Sequence, residues 1–76
     1  MTLEQLPTGH RARIAQVEGD EPLRTRMFAL GLRHGREVAV IRRARLGGPL
    51  QIRIGTTDLI VRRREARLIK LVEPAA

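Results

Sequence analysis

Leu50-Gln51-Ile52-Arg53-Ile54-Gly55-Thr56-Thr57-Asp58-Leu59-Ile60-Val61 is the stretch that decides the fold. Leu50, Ile52 and Ile54 alternate with Gln51 and Arg53, the period-two pattern of a strand with one buried face. Gly55 to Asp58 interrupts it with turn residues, and Leu59-Ile60-Val61 opens a further strand. Upstream, Leu46-Gly47-Gly48-Pro49 is a hairpin connection. Before that, Arg36 to Arg45 sets Val38, Val40 and Ala44 on one face of a strand and Ile41 on the other. These segments form the centre of an antiparallel meander.

Working outward, His10 to Val17 alternates with Ala12 and Ile14 on one side and Arg11 and Arg13 on the other. Val17 is out of phase with Ile14, which predicts a bulge or bend near Ala15. Gly19-Asp20-Glu21-Pro22 is a helix start, with an acidic cap and a proline in the first turn, where its missing N–H costs nothing. Leu23, Met27 and Leu30 recur at helical spacing with Phe28 alongside, so the stripe is expected to face the core. Gly31 supplies a left-handed stop after which Leu32 can fold back on the last turn. Arg62 to Ala66 suits a single helical turn, and Leu68 to Val72 a last strand with apolar residues on both faces. The expected fold is mainly β, a small closed barrel of about five strands with one short α-helix after the first strand. The whole chain, residues 1–76, is read as one domain, with Pro74-Ala75-Ala76 a frayed tail.

The chain carries 15 basic and 8 acidic residues, net +7, and 14 of the basic residues are arginine. Residues 1–35 hold five basic and four acidic groups, whereas residues 36–76 hold ten and four, so the excess belongs to the second half. Such a balance invites a nucleic-acid reading, yet Phe28 is the only aromatic residue, and single-strand and RNA binders stack bases on aromatic platforms. No apolar run approaches the roughly 18 residues needed to span a bilayer, and a cytoplasmic location is expected. Cysteine and serine are absent, and none of the threonines lies near a paired histidine and carboxylate in sequence, so an enzyme is not expected. Gly47-Gly48-Pro49 lacks the Lys and Ser/Thr of a phosphate loop.

His10 and His34 are the imidazole candidates for Fe2+ or another transition metal. Both lie in turn-like sequence without His-x-His or His-x-x-Glu spacing, so any binding is expected to be weak and no cofactor is required. The informative polar features are the arginine runs 42, 43, 45 and 62, 63, 64. Arginine pairs bidentately with carboxylates and phosphates, so Arg42, Arg43, Arg62, Arg63 and Arg64 are candidates for docking on an acidic surface or on anionic lipid headgroups. Phe28, Leu30 and Leu32 are candidates for an apolar docking patch, since a small barrel cannot cover every large side chain. An edge strand or that patch leaves self-association open.

Leu30-Gly31-Leu32 followed by Gly35, then Gly48-Pro49-Leu50-Gln51-Ile52, then Leu59-Ile60-Val61-Arg62-Arg63-Arg64-Glu65-Ala66 with Ile69, together resemble the FeoA family. Leu3-x-x-Leu6-x-x-Gly9 and Ala12-x-Ile14 are similar to that family's start, so the likeness covers essentially the whole chain. The resemblance implies an SH3-like barrel and a non-enzymatic accessory role in bacterial ferrous iron transport. It also implies a partner, the cytosolic part of the FeoB-type membrane GTPase that moves Fe2+, and with it a place at the inner face of the membrane. A relation to the SH3-like domain of metal-dependent repressors is implied as well, and with it a label of transition-metal binding. The alternatives are a small basic nucleic-acid-binding barrel and a detached regulatory domain of such a repressor. The lack of aromatics sets the chain apart from SH3 domains that bind polyproline.

Overall fold

The computed structural model describes residues 1–72, so the frayed tail expected at Pro74 to Ala76 lies outside the described residues. A 3-10 turn at Leu3–Gln5 leads into strand β1 (Arg11–Val17) and helix α1 (Glu21–Ala29). Strands β2 (Glu37–Arg43), β3 (Leu50–Ile54) and β4 (Thr57–Val61) follow, then a short helix α2 (Arg63–Ala66) and strand β5 (Ile69–Leu71). The strands form one antiparallel sheet in the order β4-β3-β2-β1-β5.

A bulge lets this sheet curl into a barrel. The first half of β1, Arg11 to Arg13, pairs with Ala39 to Glu37 of β2, while the second half, from Ile14 to Val17, pairs with Leu71 to Ile69 of β5. The register slips between Ile14 and Gln16, at the position where the sequence loses its phase. An extra residue there bends the strand and increases its twist, so one strand can serve both walls. A second bulge, between Val40 and Arg42 of β2, was not foreseen. Past it the expected inward parity fails: Ala44 is exposed rather than sharing the buried face of Val38 and Val40.

Inside the curl, Val40, Ile52 and Leu59 lie in one cross-strand row and Leu50 faces Val61 in the next. Ile14, Val38, Leu50, Ile52 and Ile69 are completely buried, with Leu3 and Leu6 from the N-terminal segment packed among them. Each such side chain contributes about 1.5 to 3 kcal/mol through removal from water. β4 and β5 are the two ends of the strand order, and α2 connects them along the chain. The outer edge of β5 is covered by the N-terminal segment, where Thr2 bridges Lys70 and the Leu71 N–H donates to the Met1 carbonyl at 2.8 Å. Of the expected last strand, Ile69 and Leu71 are buried, but Val72 is exposed.

The Asp20 carboxylate caps α1 by accepting from the Leu23 N–H at 3.0 Å. The helix ends as Gly31 takes φ 97° and the Leu32 N–H donates back to the Met27 carbonyl at 2.9 Å. The expected core stripe is only half realised. Met27 is buried and Leu23 half-buried, but Phe28 and Leu30 are 56% and 44% exposed. A nine-residue helix rests on the barrel by one narrow edge, and the Gly31 turn sends Leu32, not Leu30, into the core.

Candidate partner-binding surfaces

The arginines divide into two populations that sequence alone does not separate. Arg43 is part-buried and donates through Nη2 to the carbonyls of Glu4 and Leu6, so it fastens the N-terminal segment to β2. Arg63 packs beneath the β2–β3 hairpin, where its Nε is buried and would lie 3.9 Å from a methyl group placed on Gly47; its Nη1 reaches Glu4 at 3.9 Å. Arg67 donates to the same Glu4 carboxylate at 2.8 Å, and Arg26 of α1 pairs with Glu65 of α2. Arg43 and Arg63, expected at a partner surface, are therefore internal braces. Arg43 faces away from Arg42 because neighbours on a strand point to opposite sides, Arg63 opens α2, and the carboxylate and carbonyls they meet lie in the distant N-terminal segment.

Arg42, Arg62 and Arg64 are exposed and have no side-chain partner among the described residues; Arg45, at the hairpin, is in the same state. Arg42 lies across from Gln51, and Gln51 across from Ile60, which puts all three in one row on the outer face of the sheet. Ile60 is 68% exposed. Leu46, at the hairpin tip, is fully exposed and takes φ 57°, a left-handed conformation uncommon for a non-glycine residue. Neither aliphatic residue was singled out from the sequence. The available signal was a leucine placed directly against a Gly-Gly-Pro turn, where no core can reach it.

One row further along the outer face, Arg53 donates to Asp58 through Nε at 2.6 Å and Nη2 at 3.1 Å, and Gln51 adds a bond at 3.0 Å. The hydrogen bond from Arg53 holds the Asp58 carboxyl below its ordinary range, with the Gln51 bond acting the same way and desolvation opposing both. The same contact raises the Arg53 guanidinium above its usual value.

Phe28 of α1 and Leu30 at the helix end are each exposed, and the Arg33 guanidinium lies 4.3 Å from the centre of the Phe28 ring. Leu32 does not join them: it is buried to within 1% and offers a partner no surface. His34 lies in the groove beside Phe28 and Arg33, whereas His10 lines a separate groove with Leu6, Pro7 and Val72. No group of three or more His, Cys, Asp or Glu side chains among the described residues is placed to hold a metal ion. The described residues therefore do not gather a preformed donor cluster around either histidine.

The profile of the FeoA domain matches residues 1–73. The chain belongs to the FeoA family. Its relatives include a Porphyromonas gingivalis Fe(2+) transport protein A/Fe(2+) transporter FeoB fusion protein, 35% identical over 71 residues, which are 93% of this chain and 8% of that protein. Iron(II) transport protein A from Clostridium thermocellum superposes with a TM-score of 0.88 at 34% identity, over 93% of this chain and 44% of that one. Stenotrophomonas maltophilia FeoA, solved with zinc and described as a procaryotic SH3 domain protein, superposes with a TM-score of 0.82 at 28% identity, over 95% and 89% of the two chains. The chain thus spans a small part of the fusion protein and less than half of the Clostridium chain. The FeoA fold here is SH3-like, and the family is linked to ferrous iron transport. No helix among the described residues is long and apolar enough to cross a membrane.

Proposed function

We propose that this FeoA-family chain is a non-enzymatic accessory domain of ferrous iron transport that docks, on the cytosolic side, against a FeoB-type membrane transporter. The observation that carries this reading is the fusion protein. A relative of this chain, matched over 93% of its length, is part of one polypeptide with an Fe(2+) transporter FeoB. Covalent linkage holds two parts at high effective concentration, an arrangement that suits components working on one another.

Exposed Phe28 with Arg33 over its ring supplies a small aromatic anchor beside a cation, the composition found at the centres of protein interfaces. Titration of the purified chain against the detergent-solubilised FeoB-type transporter of the same organism tests the reading. Saturable binding that weakens at least about tenfold in a folded Phe28→Asp variant is the expected result, the size of one anchor residue. Absence of binding by the folded wild-type chain would sink it.

A further inference from the structure

We propose that the barrel end formed by the β2–β3 hairpin tip, β4 and the start of α2 is a docking surface for an anionic lipid bilayer. Arg42, Arg45, Arg62 and Arg64 meet headgroup phosphates there, while Leu46 and Ile60 enter the acyl boundary. The inference goes beyond the transporter reading and needs no protein partner.

The four guanidiniums belong to one end of the molecule. Arg42 and Ile60 flank Gln51 on the outer face, at a strand spacing of about 4.8 Å each, and Arg62 follows Ile60 by two residues in extended backbone at ψ 147°. The hairpin tip leans on α2, since Gly47 lies against Arg63, and this carries Arg45 and Leu46 toward Arg62 and Arg64. The neighbouring carboxylates are already engaged, Asp58 by Arg53 and Gln51, and Glu65 by Arg26 and by the Arg62 N–H at 3.1 Å. Among the described residues the local charge is therefore uncompensated.

The apolar half of the surface is as specific as the charged half. The tip is tied by the Ala44 N–H to the Pro49 carbonyl at 3.0 Å and the Gly48 N–H to the Arg45 carbonyl at 3.1 Å. Thus held, the loop presents Leu46 outward with nothing to cover it. A protruding aliphatic side chain ringed by long cations suits a fluid, phosphate-bearing interface, in which arginine stems lie along the acyl boundary and the heads stay with phosphate. An acidic protein would satisfy the arginines but would need a socket for Leu46.

Sedimentation of the full chain with vesicles tests the proposal, using phosphatidylcholine alone and phosphatidylcholine mixed with phosphatidylglycerol. Binding is expected to the mixed vesicles only and to fall away at high salt. Each arginine removed should weaken it about fivefold, so Arg42→Ala with Arg62→Ala loses roughly 25-fold. Leu46→Gly, which suits the left-handed backbone and so keeps the fold, should also weaken binding. Arg24→Ala and Phe28→Asp, on α1, should not, which separates this surface from transporter docking. Equal binding to both vesicle types, no binding by the folded chain, or full binding by the double arginine variant overturns the proposal. Retention on an immobilised acidic polypeptide with the same dependence on Arg42, Arg62 and Leu46, without vesicle binding, would reassign the surface to a protein partner and equally overturn it.

Discussion

Arg42 and Arg43 are adjacent on one strand and chemically identical, yet they belong to different parts of the protein's design. On the side where the N-terminal segment meets α2, Arg26, Arg43, Arg63 and Arg67 converge on Glu4, Glu65 and two backbone carbonyls. In the same part of the chain but facing outward, Arg42, Arg45, Arg62 and Arg64 point into solvent with no acid partner among the described residues. The first group supplies hydrogen bonds that a barrel without a complete ladder lacks. The second leaves a field outside the molecule. A strongly basic composition is therefore two quantities, an internal share that holds the fold and an external share available to a partner.

The sharpest measure of that division is stability. Arg43→Ala should cost about 2 kcal/mol in urea denaturation, because the Glu4 and Leu6 carbonyls lose a charged donor in a part-buried setting. Arg42→Ala should stay within about 0.5 kcal/mol, the usual range for an exposed residue without partners. Equal costs for the two would erase the distinction. The exposed end carries local strain of its own, and there the sign reverses. Leu46→Gly should stabilise by about 0.5 to 1 kcal/mol, as relief of the left-handed leucine outweighs glycine's greater unfolded entropy. A thermal melt shifted downward would contradict that.

The smallest effect belongs to Arg53 and Asp58, an exposed pair between the two populations. The Asp58 carboxyl is lowered in the folded state. Its contribution is thus present above the unfolded value of about 3.9 and is lost as pH falls through the folded value. Arg53→Ala should raise the Asp58 midpoint toward the ordinary range in a carbon-detected NMR titration, with little change in stability at neutral pH. An unmoved midpoint would show that Gln51 holds the carboxylate instead.

Local signals in the sequence carried the barrel. The alternation at Leu50 to Ile54, the phase slip between Ile14 and Val17, the Asp20 cap and the Gly31 stop each depend on neighbours within a few residues, and each appears in the structure. What stayed illegible depends on residues far apart in the chain. Glu4 meets Arg67 across 63 positions and Arg26 meets Glu65 across 39, so nothing in the pattern distinguishes a brace from a free arginine. The exchange of Leu30 for Leu32 in the core had a different origin. Both were at plausible positions, and only the direction of the chain after Gly31 decides between them. Of the residues expected at a partner surface, Phe28, Leu30, Arg42, Arg62 and Arg64 are exposed, whereas Leu32 is buried and Arg43 and Arg63 are partly covered and engaged within the fold.

The pairing of Thr2 with Lys70 has a temporal meaning as well as a spatial one. The N-terminal segment is fastened to β2 by Arg43 but gains its second support, and the second half of β1 its partner, only when β5 is available. Until then Leu3 and Leu6 lack their lid, and the second half of β1 stands without its partner. Pairing between segments so far apart in sequence raises the contact order of the barrel, which slows folding relative to a helical domain of the same size.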